Sequence, residues 1–179
     1  MRRFLVSTAL LLIVGSCVAP PRPAPAPPRP IPTYVPAPTP SPTPTPLASD
    51  WRDWPVTPGD WVYRRDTRGS IAFYGVPGSD AALTLRCDRA AAQLYLSKRD
   101  ATGTGTAITI RTSSTLRTLA AQPTGGTQPY VAVALAPRDT LLDAIAFSRG
   151  RFIVEQAGQA PLVVPSWAEF GRVVEDCRG

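Results

Sequence analysis

Few side chains in this 179-residue chain could do chemistry, because it holds no histidine and only three cysteines. The lack of imidazole excludes a Ser-His-Asp triad, a Cys-His dyad and histidine metal ligands. Ser97 and Lys98 suggest a Ser-Lys dyad, but adjacent residues of a strand point to opposite faces. We therefore predict no catalytic residue, no metal site and no cofactor, and a protein that is not an enzyme.

Carboxylates that lie close together in the sequence are the next candidates. Asp139 and Asp143 are one helical turn apart, and Glu175-Asp176 stand near the end of the chain. Paired carboxylates can do acid-base work or bind calcium. We expect structural roles instead, with Asp139 as a helix cap and Asp143 on a solvated helix face. The last two are expected to be surface charges near Arg172 and Arg178.

Two groups of arginines are candidates for an anion-binding or partner-contact face. Arg149 and Arg151 flank Gly150, and a second group near the first predicted hairpin consists of Arg64, Arg65 and Arg68. The alternative for the first pair is that it simply follows a helix, whose C-terminus favours cations.

Aromatic residues are concentrated at the start of the folded region, at Trp51, Trp54, Trp61 and Tyr63. Such rings can form a platform that stacks on the sugars of a glycan or of peptidoglycan. More often they dock a first segment onto a sheet as part of the core. We expect the core role.

Alternation of apolar and polar residues dominates positions 50–179 and predicts a mainly β (α+β) domain. The predicted strands are 60–66 and 70–74 around a turn, 83–88 and 94–97, 108–111 and 115–120, then 131–135, 152–154 and 161–164. We predict an antiparallel β-sandwich or sheet with one short helix and a C-terminal amphipathic helix.

The two predicted helices have recognisable starts. Asp139 precedes the apolar residues of the short helix, which Gly150 is placed to end. Ser166 and Glu169 form a capping box that opens the last helix. The expected buried face of that helix consists of Trp167, Phe170, Val173, Val174 and Cys177.

The amino-terminal residues have the form of an export signal. Arg2 and Arg3 lead an apolar run over positions 4–15, which is too short to span a bilayer and stops at Ser16-Cys17. Residues 1–16 are therefore expected to be a cleaved signal peptide.

The stretch Val14-Gly15-Ser16-Cys17 resembles the lipobox of bacterial lipoproteins. The resemblance implies that Cys17 carries lipid and that the signal is cut just before it. An ordinary signal with Cys17 as a bystander is the alternative. Val18 replaces the Asp that usually retains such proteins in the inner membrane, so the resemblance implies the periplasmic face of the outer membrane.

A Pro-rich tether is predicted for positions 17–49. Positions 20–46 hold 14 of the chain's 22 prolines and almost nothing to bury, which favours a solvated segment of polyproline II character. A semi-rigid spacer is the expected role, and recognition by a PxxP-binding partner is the alternative.

With Cys17 assigned to lipid, Cys87 and Cys177 are the two remaining thiols in an oxidising compartment. They are therefore expected to form a disulfide that closes a loop of about 90 residues.

The predicted domain, 50–179, has 15 basic and 13 acidic side chains. That near balance argues against a nucleic-acid partner.

The strand Leu83–Cys87, the following Gln93–Leu96 and the C-terminal helix ending in Cys177 resemble small exported β-sandwich proteins. These are the VasI-like type VI secretion accessory proteins and the invasion-associated locus B family. The resemblance implies a fold and a compartment, and it supplies no catalytic residues.

The function expected from the sequence is that of a non-enzymatic binding or structural module of the cell envelope, held at the membrane through lipid on Cys17. Its partner would be an envelope protein or peptidoglycan. The alternative is an inhibitor lipoprotein that presents a loop such as 148–152 to a lysozyme-like enzyme. Lysozymes are usually cationic, so the lack of acidic excess counts against that alternative.

Overall fold

The computed structural model describes residues 48–102 and 105–179. The predicted signal peptide, Cys17 and nearly all of the predicted Pro-rich tether lie outside the described residues, so the expectations about them remain predictions. The described elements, in chain order, are a 3-10 helix (Trp51–Asp53), β1 (Asp60–Asp66), β2 (Gly69–Gly75), β3 (Leu83–Asp88), β4 (Gln93–Arg99), β5 (Ala107–Arg111), β6 (Leu116–Ala120), β7 (Gln122–Pro123), β8 (Tyr130–Leu135), α1 (Thr140–Ala146), β9 (Arg151–Glu155), β10 (Leu162–Pro165) and α2 (Ala168–Arg178).

The strands form two antiparallel sheets, which confirms the predicted mainly β class. The larger sheet has the order β1-β2-β3-β4-β8-β7, and the smaller has the order β10-β9-β5-β6. The chain therefore leaves the larger sheet after β4, builds half of the smaller sheet, and returns through β7 and β8. The alternating pattern accounts for the strands themselves, since β3 buries Leu83, Leu85 and Cys87 and turns the residues between them outward.

The first hairpin forms where the sequence predicts it. The Asp66 carboxylate accepts hydrogen bonds from the backbone N–H groups of Arg68 and Gly69 and closes the turn. Gly69 has φ of 146°, and a Cβ atom there would lie 2.6 Å from the carbonyl oxygen of Cys87. This turn therefore requires glycine.

Helix α1 has the predicted cap and buried residues but a different end. The Asp139 carboxylate accepts a hydrogen bond from the backbone N–H of Leu141, 2.9 Å away. The helix ends at Ala146 with Phe147 as its C-cap, because the residues that follow turn at once toward β9. Gly150, with φ of 77°, lies in that turn and does not end the helix.

Helix α2 starts one residue later than the predicted capping box requires. Trp167 is the N-cap, in extended conformation, and no side chain caps the helix. The Ser166 hydroxyl is buried and has no hydrogen-bond partner among the described residues. Trp167 precedes the helix proper and is 47% exposed, so its assignment to the buried face was wrong.

One core joins the two sheets through α2. The helix crosses the inner face of the larger sheet, where Cys87 and Cys177 form the predicted disulfide. The ring of Phe170 lies 6.1 Å from Trp61 of the larger sheet and 5.8 Å from Phe152 of the smaller. Phe170 thus connects both layers.

The segment before β1 covers the free edge of β10. The backbone N–H of Thr57 donates to the carbonyl of Val163, and its hydroxyl accepts from the Val163 N–H. The Trp61 indole N–H donates to the Pro165 carbonyl.

Among the described residues, no helix is long and apolar enough to cross a bilayer.

Candidate functional site

The larger sheet has one buried face and one face open to solvent, and the open face carries two cavities. Their volumes are about 570 and 690 Å³. Both are lined by Thr84, Ser97 and Thr124, so they run into each other. We call this continuous feature the open-face groove. Its further lining includes Val62, Arg64, Phe73, Tyr130, Arg68, Ile71, Arg86, Tyr95, Gln122, Pro123, Ala132 and Ala134.

Strand register gives the groove its shape. One row of neighbours across the sheet runs Val62, Phe73, Thr84, Ser97, Ala132 and Gln122. Its three central members are small, whereas Phe73 and Gln122 stand on either side of them. Strands are spaced about 4.8 Å apart, so the small residues make a trough about 14 Å wide, enough for one extended chain.

A second row beside the first adds an aromatic ring and charge. It runs Arg64, Ile71, Arg86, Tyr95 and Ala134. Tyr95 faces Ala134 on one side, so the edge of its ring toward β8 is uncrowded. The groove thereby combines aromatic surface with the hydroxyl groups of Thr84 and Ser97.

The charges around the groove are largely paired. Arg86 binds Asp66 at 2.8 Å, and Arg68 binds Asp88 at 2.7 Å. The hydrogen bond from each arginine is the largest of the effects that hold the pKa of its carboxyl partner below the usual value. Arg64 stacks over Phe73, with 5.8 Å from its guanidinium carbon to the ring centre.

At its other end the groove is bounded by polar contacts of the β2–β3 loop. Gln128 donates to the Asp80 carboxylate at 2.9 Å, and the Tyr130 hydroxyl donates to the carbonyl of Ala81. The groove is thus a nearly neutral surface of methyl, hydroxyl, amide and aromatic groups. Such a surface suits binding of an uncharged or weakly charged ligand.

Ser97 and Lys98 point to opposite faces of β4, as predicted. Ser97 lines the groove, whereas Lys98 is buried on the inner face and 4% exposed. The Lys98 ammonium donates to Gln156 at 3.1 Å and to Gln159 at 2.6 Å. Burial lowers the pKa of Lys98, partly opposed by the charge of Asp100. The two residues therefore form no dyad.

Lys98 belongs to a buried polar cluster with Asp100, Gln156 and Gln159. Asp100 is fully buried and accepts hydrogen bonds from the backbone N–H of Gly105, from Thr102 and from Gln159. Burial by itself would raise the pKa of Asp100, but these hydrogen bonds outweigh it and hold the pKa far below its usual value. The cluster closes one end of the core, where Asp100 holds the backbone N–H groups of Thr102 and Gly105.

The five arginines suspected of forming one anion-binding face have different contacts. Arg65 binds Asp176 at 2.6 Å and Arg68 binds Asp88, so both are neutralised. Arg151 donates to the backbone carbonyl of Trp54. Arg149 is exposed, and in the part of the chain that the structure describes its guanidinium makes no ion pair or hydrogen bond.

The predicted carboxylates have structural contacts. Asp143 is 45% exposed and binds Arg178 at 2.8 Å, which fits a solvated helix face. Asp176 was expected at the surface, but its side chain is only 12% exposed. It accepts hydrogen bonds from Tyr63 and Arg65, because the last turn of α2 brings it against β1. Within residues 48–102 and 105–179, no three His, Cys, Asp or Glu side chains are grouped to hold a metal ion.

The tryptophans do not form a common platform. Trp61 is 6% exposed and its ring lies 5.2 Å from that of Tyr74, in the core as expected. Trp51 and Trp54 are half-buried in the segment before β1. A glycan could not stack on the buried Trp61 ring.

Comparison of the chain with protein-family models, with curated proteins and with solved structures gives no match.

Proposed function

We propose that the protein is a periplasmic lipoprotein, anchored in the outer membrane by lipid on Cys17, whose domain is a non-enzymatic binding module of the cell envelope. Three features support this proposal. The Val14–Cys17 stretch has the pattern of a lipobox, and the Pro-rich tether gives the domain reach. The Cys87–Cys177 disulfide fits an oxidising compartment.

The open-face groove is the observation that carries the binding role. Contact with water alone does not require a depression in the face of a sheet. Here three small residues, Thr84, Ser97 and Ala132, are aligned in register between larger ones and form such a depression. The lining resembles what a sugar chain needs, since each sugar ring has an apolar face that can stack on Tyr95 and hydroxyls that can bond to Ser97, Thr84 or Gln122. We propose the glycan strand of peptidoglycan as the ligand.

Filling the groove tests this proposal. Ser97→Trp would occupy the trough from a central strand, and Thr118→Trp is the matched control. Thr118 is exposed on the outer face of β6 in the smaller sheet. Both variants and the wild type are purified in detergent and sedimented with isolated peptidoglycan sacculi.

We expect Ser97→Trp to weaken sedimentation about tenfold or more, equivalent to about 1.4 kcal/mol of binding free energy. Thr118→Trp should bind like the wild type. Absence of wild-type binding, or equal loss in both variants, would reject the glycan assignment. Metabolic labelling of Cys17 is independent of this result and tests the anchor separately.

The inhibitor alternative has one supporting observation. The turn after α1 is held rigidly, because the Ser148 hydroxyl donates to the Arg151 carbonyl at 2.6 Å and accepts from the Ser113 N–H at 3.0 Å. Arg149 is exposed in this turn, as an inserted contact residue would be. The charge balance of the domain gives no complementarity to a cationic lysozyme.

A further inference from the structure

The most exposed aromatic side chain of the described residues lies away from the groove. Phe147, at the end of α1, is 81% exposed, and Trp167, just before α2, is 47% exposed. Singly exposed apolar residues are ordinary, whereas exposed aromatic rings grouped at one place mark a surface that meets another phase or a partner.

Phe147 and Trp167 border the same turn. The carbonyl of Gly150, three residues after Phe147, accepts a hydrogen bond from the backbone N–H of Ser166, directly before Trp167. The packing of α1 against α2 also brings Phe147 and Trp167 to the same place, since a Cβ atom on Gly171 of α2 would lie 4.0 Å from Ala146 of α1. Gly171 is one helical turn after Trp167 and Ala146 directly precedes Phe147. We call Phe147, Arg149 and Trp167 the aromatic end of the domain.

The chain enters the domain at this same end. The carbonyl of Ala48 accepts a hydrogen bond from the Trp54 indole at 2.7 Å, and the Trp54 carbonyl accepts one from Arg151. Ala48 is the first described residue, and the chain before it leads back to Cys17. A chain anchored at Cys17 therefore reaches the domain where Phe147 and Arg149 are exposed.

We infer that the aromatic end docks on a phospholipid surface. Phe147 and Trp167 would enter the interfacial region, where aromatic rings are favoured. The Arg149 guanidinium, which has no partner among the described residues, would bind lipid phosphate, which it can contact with two parallel hydrogen bonds. Docking in this way turns the domain relative to the bilayer and holds the groove in a fixed orientation.

The inference goes beyond the proposed binding role, and it uses the anchor only to bring the domain close to a membrane. The test replaces single exposed residues by tryptophan reporters in the full chain, reconstituted in vesicles with and without brominated phosphatidylcholine. Phe147→Trp reports the aromatic end. Val76→Trp is the matched control, because Val76 is 50% exposed in the loop after β2, outside the aromatic end.

We expect brominated lipid to remove about half of the added fluorescence of Phe147→Trp and none of that of Val76→Trp, because bromine quenches only rings that enter the lipid interface. Adding Arg149→Ser to Phe147→Trp should reduce that quenching. Flotation of the vesicles reports the anchor, so loss of anchoring and loss of docking are seen separately. Floating protein whose Phe147→Trp signal is not quenched would overturn the inference and assign the aromatic end to a protein contact.

Discussion

The Cα atoms of Cys87 and Cys177 lie 5.4 Å apart although 90 positions separate them in the sequence. Cys87 faces inward from β3, and Cys177 lies in the last turn of α2. The bond therefore forms only when the helix lies across the inner face of the larger sheet. The bond holds α2 against the face of the larger sheet that lies opposite the groove.

Removing this bridge should destabilise the domain. Cys177→Ser is expected to lower the free energy of unfolding by about 2–5 kcal/mol, since it frees a long loop in the unfolded chain. Urea unfolding followed by tryptophan fluorescence measures the loss. Reduced wild type is the control and should lose the same amount, whereas an unchanged midpoint would show that α2 is held without the bond.

Acid should weaken the buried polar cluster. The pKa of Asp100 is lowered by folding, so its contribution to stability is full above the unfolded-state pKa of about 4 and is lost as pH falls through and below that value. Wild type should therefore lose stability in this acid range. Asp100→Asn should be less stable at pH 7 and show a flatter profile between about pH 4 and pH 2. Equal slopes for the two proteins would contradict the assignment.

Gly105 should resist replacement even though it lies in a loop. A Cβ atom there would lie 2.0 Å from Nε2 of Gln156 and 2.8 Å from the Asp100 carboxylate. Gly105→Ala should cost about 1–3 kcal/mol by overpacking the cluster. Gly126→Ala, whose Cβ would have no heavy atom closer than 3.9 Å, is the control and should leave the melting temperature nearly unchanged.

Lipid on Cys17 is tested by metabolic labelling. The wild type should incorporate an alkyne fatty acid, and Cys17→Ser should remain an uncut, unlabelled precursor, because the acyl chains are attached at that sulfur. Cys87→Ser is the control and should still be labelled. A Cys17→Ser protein that takes up label and stays membrane-bound would show that Cys17 is not the site of lipid attachment.

Alternation in the sequence predicts the strands well but not their neighbours. The pattern of Leu83, Leu85 and Cys87 determines which face of β3 is buried, and the register then follows from local turns such as that at Asp66. The placement of β5 and β6 in a second sheet depends on long-range packing. The alternation of apolar and polar residues along a strand does not predict which strand pairs with which.

The groove could be read from the sequence only in part. Thr84 and Ser97 are recognisable as outward residues of their strands, but their alignment with Ala132 requires the β4–β8 pairing across more than thirty intervening positions. The buried cluster had a visible signal that sequence reasoning missed. Lys98 continues the inward series Leu94, Leu96, and a lysine at such a position needs buried partners.

The proposed binding role requires that the open-face groove contact the ligand in the cell envelope. The most direct measurement places a photoreactive phenylalanine analogue at Ala134, which is exposed in the groove, or at Thr118 on the smaller sheet, and irradiates living cells. We expect an adduct from Ala134 that lysozyme digestion shortens, and none from Thr118. No adduct from Ala134, or the same adduct from both positions, would contradict it.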